Sequence, residues 1–325
     1  MRPPGNRPCD DEKIPEGDQT SQAQSKVQLA VPARLFYTDH YSLPLPSGHK
    51  FPIRKYSLLR ELLARDSACE FTAAPVANPK VICLAHDPAY VEAFLAGRLP
   101  AAVMRRIGFP WSEELVARTL ASAGGTLSAT EDALSRGWGG TLAGGTHHAL
   151  YAEGAGFCVF YDIAIAIRKL QHEGRNMRAA VIDLDVHQGD GTAAMFRGDP
   201  QVFTFSMHGA GNFPFRKQES RLDVALPDGT GDEAYLERLS EALPQVLEFA
   251  PEIVFYQSGV DALASDRLGR LSLTAAGLQE RDRRVFGICR SAGIPLVITL
   301  GGGYSEPIEL SVESHANTFR LALKG

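Results

Sequence analysis

Residues 179–191 read Ala179-Ala-Val-Ile-Asp183-Leu-Asp185-Val-His187-Gln-Gly-Asp190-Gly191, an unbroken apolar run that delivers acids, an imidazole and glycines at its end. Such a run has no polar alternation, so it predicts a strand buried on both faces, as in a parallel sheet covered by helices. The same pattern recurs along the chain, with strand candidates at 33–37, 81–85, 139–143, 179–184, 201–206, 253–258 and 295–300. Helical stretches are expected between them at 56–65, 88–96, 112–134, 159–173, 232–248, 274–292 and 307–322. Within 159–173, Ile163, Ile167 and Leu170 fall at helical spacing and give one inward stripe. Strand followed by helix, repeated, predicts a three-layer α/β (αβα) architecture with a mostly parallel central sheet. In such folds ligands bind beyond the carboxyl ends of the strands. That places the acids and imidazole after residue 182 where chemistry is expected.

Bulk properties narrow the function. The 325 residues are 44% hydrophobic and 22% charged, ordinary values for one large globular core. A formal charge of −5 gives no support to nucleic-acid binding, which needs a basic surface able to displace counterions. No run of 18 apolar residues predicts a membrane span, and no hydrophobic leader is read at the start. The five cysteines, Cys9, Cys69, Cys83, Cys158 and Cys289, form no Cys-x-x-Cys pair. They fit a reducing compartment, and a cytoplasmic location is expected. Residues 1–28 are rich in Pro and polar side chains and predict a disordered tail. Residues 29–325 are expected to form a single catalytic domain.

Three constellations carry chemistry. Asp183, Asp185 and His187 alternate after the buried run, and Asp261 follows a second run in Tyr256-Gln-Ser-Gly-Val-Asp261. Two Asp and one His would hold a first-row divalent ion with a position left open for water or a substrate carbonyl. The plain alternatives are a surface loop of turn formers and, for Asp261, a helix cap. Gly144-Gly-Thr-His147-His148 sets adjacent imidazoles between glycines, able to take and return a proton near neutrality; a surface turn is the alternative. Leu300-Gly-Gly-Gly-Tyr304 joins a close-passing backbone to a hydroxyl that can donate to a carbonyl oxygen. It lacks the Lys and Ser/Thr of a phosphate-binding loop.

Taken together, GGTHH with GAGFC, DLDVHQGDG, FSMHGAGNFP, SGVDAL and LGGGY, in this order, resemble the zinc-dependent histone deacetylase family of the arginase-deacetylase fold. The resemblance runs from about Arg34 to Ala322, and DRLGRLSLT with GFPWSEE is most similar to the class IV branch. It implies a sheet of about eight strands, with Asp185, His187 and Asp261 as ligands of one Zn2+. His147 would be hydrogen-bonded to Asp183 and His148 to Asp190, which fixes each imidazole's tautomer and raises its basicity. Tyr304 would polarise the scissile carbonyl, with Gly156 at the substrate amide and Phe157 and Phe213 lining a channel for a lysine stem. Ser206-Met207, with the backbone oxygens of 183–187, resembles a structural K+ or Na+ site. The implied reaction is removal of an acetyl or longer fatty acyl group from the Nε amine of lysine in a protein or peptide. A small acylated amine, such as an acetylated polyamine, is the alternative substrate, and a metal-holding module without turnover is the alternative from another class. Two positions depart from the pattern: Gln188 stands where a histidine often follows the ligand histidine, and no acid is placed as the rim aspartate that grips a substrate backbone.

Overall fold

The computed structural model describes residues 33–66, 69–175 and 177–324, so the tail expected over 1–28 lies outside the described residues. The chain runs β1 (Arg34–Tyr37), α1 (Arg54–Asp66), β2 (Glu70–Ala73), α2 (Pro79–Ile82), α3 (Pro88–Leu95), α4 (Ala101–Ile107), α5 (Glu113–Arg136) and β3 (Trp138–Thr141). It continues with α6 (Asp162–His172), β4 (Ala179–Asp183), α7 (Asp190–Met195), β5 (Val202–Gly209) and β6 (Leu222–Leu226). The last part is α8 (Asp232–Glu248), β7 (Ile253–Gln257), α9 (Ala275–Ser291), β8 (Leu296–Thr299) and α10 (Glu309–Leu323).

The strands form one 8-stranded sheet in the order β2-β1-β3-β8-β7-β4-β5-β6, every pair parallel. The central strands β4, β5, β7 and β8 are buried along their whole length, as their continuous apolar runs require. One core joins the sheet to α1, α8, α9 and α10 through residues such as Leu59, Leu239, Val285 and Phe319. The other joins it to α3, α5 and α6 through Phe94, Ala121, Ile163 and Ile167. Each fully buried Leu, Ile or Phe contributes about 1.5–3 kcal/mol. The three-layer architecture expected from the sequence is therefore present.

One expected strand is absent. Residues 81–85 form the end of α2 and the turn after it, because Asn78 caps a helix there, its side chain accepting from the Lys80 amide at 2.9 Å, and Pro79 occupies the first turn. The apolar residues of that run pack inward from a helix and turn. Two strands, β2 and β6, carry no long apolar run because they are the sheet edges, with one paired side and exposed positions.

Register decides what the carboxyl edge presents. Asp183 pairs with Gln257 on one side and Ser206 on the other, and Gln257 pairs in turn with Thr299. Asp183, Ser258 to Asp261, and Leu300 to Tyr304 therefore leave the sheet side by side. The segment between β3 and α6 is tied down from the other direction by buried His86. Its Nδ1 lies 3.0 Å from the Leu150 carbonyl and its Nε2 accepts the Tyr161 amide at 2.8 Å. That pair of bonds requires a neutral ring with the proton on Nδ1.

Burial lowers the His86 pKa from 6.5 to about 4, against the opposing pull of the Tyr151 and Leu150 carbonyls. The unfolded chain therefore takes up this proton first as pH falls. The stabilisation is whole above about 6.5 and is lost progressively toward 4. Between pH 7.5 and 4.5 it is worth about 2.5 kcal/mol. Denaturant unfolding at those two pH values should show a smaller acid loss in His86→Gln than in the wild type, by roughly that amount. Equal losses would contradict the assignment.

Candidate active site

The strand β4 stops at Asp183, and the chain bends over the next four residues. Asp183, Asp185 and His187 consequently do not share one face as strict alternation would have it. Asp185 and His187 meet Asp261, which arrives from the segment after β7, and the potential ligand atoms of these three lie within 4.8 Å of one another. Each carboxylate is oriented by the backbone: Asp185 Oδ2 accepts the Gly302 amide at 2.7 Å and Asp261 Oδ1 accepts the Val186 amide at 2.8 Å. Their remaining oxygens, Asp185 Oδ1 and Asp261 Oδ2, lie 3.1 and 3.0 Å from His187 Nδ1. Gly302 has to be glycine, since a Cβ there would lie 1.9 Å from Asp261 Oδ2.

Electrostatics mark this as a cation site. Burial and the neighbouring Asp185 charge raise Asp261 to about 7. Burial opposes charge on His187, but its bonds to Asp185 and Asp261 together outweigh it and raise the ring to about 10. Two buried carboxylates thus attract whatever positive charge is at hand. Two oxygens and one nitrogen on a wall of an open cavity fit a divalent first-row ion with a free position.

Beside the cluster stand two histidine–carboxylate pairs. His147 Nδ1 lies 2.7 Å from Asp183 Oδ2, His148 Nδ1 lies 2.6 Å from Asp190 Oδ1, and the two rings are 4.0 Å apart. The environments of the rings differ. Burial disfavours charge on His147, but Asp183 and Asp185 overcome it and hold the ring at about 9. Burial and the adjacent His147 charge push His148 down to about 4 despite Asp190. Near neutrality one ring carries a proton and the other can accept one.

The cavity in front of these groups has a volume of about 320 Å³. Phe157 and Phe213 both line it, with Phe213 edge-on to His148 at 4.9 Å and Phe157 6.2 Å from the Tyr304 ring. Gly156 lies directly against the His148 ring, and a Cβ would meet His148 Cδ2 at 2.7 Å. Tyr304 also lines the cavity, and its pKa stands well above 10 because of burial and the charges of Asp261 and Asp185. Its hydroxyl therefore keeps its proton and can donate. The eleven residues expected as catalytic groups, substrate contacts or metal ligands meet in this one region.

Gln188 takes a different part. Its Nε2 donates to the Gln218 carbonyl at 2.7 Å and to Asp223 Oδ1 at 2.8 Å, fastening the chain that leads into β6. Three further residues were not picked out from the sequence. Asp266 accepts the Tyr304 amide at 2.6 Å and also the Leu268 and Gly269 amides, each at 2.9 Å, so it sets the tyrosine loop on the segment after Asp261. Buried Lys55 donates to the Gly301 carbonyl at 3.2 Å behind the same loop. Arg118 is buried and lines the cavity. The turn pattern Asp266-Arg-Leu-Gly269 is a local signal for the first, whereas nothing beside Lys55 or Arg118 in sequence points to them.

A parallel α/β sheet whose carboxyl edge gathers a cation cluster, two histidine–carboxylate pairs and a protonated tyrosine has the equipment of a hydrolase. The family pattern described as histone deacetylase domain matches residues 49–319. An uncharacterized protein of Picosynechococcus sp. is 44% identical over 292 residues, covering 88% of this chain and 97% of its own. Histone deacetylase 2 of Arabidopsis thaliana is 30% identical over 307 residues, with 86% and 77% covered. Among solved structures, that of an HDAC homolog complexed with SAHA superposes with a TM-score of 0.76 at 23% identity, covering 90% of this chain and 84% of that one, which supports the fold. The chain belongs to the histone deacetylase family, and with it to the hydrolases that act on amides.

If Asp185, His187 and Asp261 hold the metal, Asp261→Ala should lower bound zinc by at least about tenfold, because removing one ligand of three leaves the others without the chelate geometry. Elemental analysis of the zinc-exposed, dialysed variant is the measurement. Full stoichiometric zinc in it would contradict the ligand set.

Proposed function

We propose that the protein is a Zn2+-dependent deacylase that hydrolyses the amide between an acyl group and the Nε amine of lysine. The observation that carries this reading is the convergence of Asp185, His187 and Asp261 with both histidine–carboxylate pairs and Tyr304 around one cavity. Bound zinc would supply a Lewis acid and a water of lowered pKa. Every other part falls to this chain's side chains. Neutral His148 takes the proton from the attacking water, which the His148–Asp190 bond supports by holding the ring's tautomer. Tyr304 donates to the carbonyl oxygen as negative charge develops there. His147, whose bond to Asp183 favours the protonated ring, returns a proton to the departing nitrogen. Phe157 and Phe213 flank the lysine stem and keep water from it.

A K+ or Na+ ion belongs in the same proposal as a structural element. The pairing of Asp183 with Ser206 supports it, since it sets Ser206 beside the strand end from which the ligand segment leaves. A class IV-like assignment belongs to the same reading and is supported by the DRLGRLSLT and GFPWSEE segments. Small acylated amines such as acetylated polyamines are the second substrate class. They draw less support, because the exposed charged residue in the cavity lining is Arg270, paired with Asp228 at 3.2 Å, and not an acid. Among those residues no helix is long and apolar enough to cross a membrane.

Tyr304→Phe should lower turnover of an acyl-lysine peptide by roughly 100- to 1000-fold while zinc content stays near one equivalent. Turnover within a few-fold of wild type would remove Tyr304 from the reaction.

A further inference from the structure

The cavity has two ends of different character. Its mouth is marked by exposed Phe215 and Arg270, and its far end by buried Tyr56, Leu115, Arg118, Ala123 and Phe160. His147, His148, Asp185 and Asp261 line it as well. A lysine stem entering at the mouth places its acyl group toward the closed end. The lining is not uniformly apolar, since half-buried Thr119 and Ser122 belong to it with Arg118.

Arg118 is 8% exposed and is held by neutral partners. Its Nη1 donates to Thr38 Oγ1 at 3.1 Å, the Tyr56 hydroxyl is a second acceptor, and its guanidinium carbon lies 4.3 Å from the Tyr56 ring centroid. Among the described residues no carboxylate lies within ion-pair distance of it. Asp39, whose charge acts on Arg118 from beyond ion-pair distance, is already engaged by Arg60 at 2.8 Å. A guanidinium presents five donors in a planar fork matched to a carboxylate, and here the protein supplies no anion to meet them. Buried cations are ordinarily paired. This one faces a cavity instead.

We infer that the closed end of the cavity is an anion subsite in which Arg118 binds the distal carboxylate of the acyl group, so that the preferred substrates are lysines acylated by a short dicarboxylic acid, such as malonyl-, succinyl- or glutaryl-lysine. This rests on the deacylase reading and names its acyl class. Hydrolysis adds water across the amide C–N bond. The hydroxyl goes to the carbonyl carbon and the proton to the lysine nitrogen, releasing a dicarboxylate and the free amine. A neutral short acyl group leaves Arg118 without a counter-charge, and a long alkyl chain lays methylenes against it and strips its remaining water. Only an acyl group carrying its own anion satisfies the fork and fills the space together.

The test uses the zinc-loaded full chain and one lysine peptide carrying acetyl, butyryl, decanoyl, malonyl, succinyl or glutaryl groups. The best acidic acyl group should exceed butyryl in kcat/KM by roughly tenfold or more, because the site's donors are met only by that substrate. Arg118→Gln should lower the acidic substrates by about 100-fold and leave butyryl within a few-fold. A preference for neutral acyl groups over every acidic one, or an equal loss on all substrates in the variant, overturns the proposal. Should the variant fail to fold, the wild-type ratio alone decides it. Calorimetric titration with succinate and glutarate gives a second readout that needs no turnover. Binding to the wild type and not to Arg118→Gln supports the subsite, and no binding to the wild type overturns it. A chain that binds the dicarboxylates yet cleaves none of the six peptides keeps the subsite and defeats the deacylase reading.

Discussion

Three carboxylates, Asp183, Asp185 and Asp261, are buried within one small volume at the carboxyl edge of the sheet, and their mutual repulsion has to be answered. A carboxylate removed from water without compensation is costly, so each has been given partners. The Gly302 and Val186 amides satisfy one oxygen each of Asp185 and Asp261, and Asp183 takes the Asp185 amide and the His147 ring. What remains is a pair of oxygens and one imidazole turned to a common point. The negative charge left over there is what a divalent cation would neutralise, while Asp183 stays with the His147 ring.

Much of the surrounding fold exists to bring these groups together. Asp183 is aligned across neighbouring strands with Ser206, Gln257 and Thr299, so three polypeptide segments leave the sheet in contact. The tyrosine loop is fixed from both sides, by Asp266 on its amide and by Lys55 on the Gly301 carbonyl. The histidine segment is fixed by His86 from the turn before α3. A site built from chain ends and loops thus acquires the rigidity of the sheet beneath it.

The amino-acid sequence exposed these features unequally. The interior strands were legible because burial on both faces demands continuous apolar runs, as in Ala179–Asp183 and Ile253–Gln257. Edge strands β2 and β6 were not, since one face and one side are left to solvent. The run at 81–85 read as a strand because a short apolar stretch has the same look in a buried helix end, and the Asn78-Pro79 cap was the discriminating signal. In the site, the ligand group stood out by residue type after buried strands. The pairings of His147 with Asp183 and His148 with Asp190 span 36 and 42 residues and came through family resemblance. Arg118 and Lys55 gave no local sign, because what singles them out is a cavity and a loop supplied by distant parts of the chain.

The most direct test of the central claim is a zinc titration of the metal-stripped full chain, following hydrolysis of an acyl-lysine peptide and bound metal in the same samples. Activity should be absent without metal, rise in proportion to zinc bound and level off at one equivalent, and His187→Ala should abolish both responses. Hydrolysis that persists in the stripped chain, or zinc binding that proceeds unchanged in His187→Ala, would contradict the account.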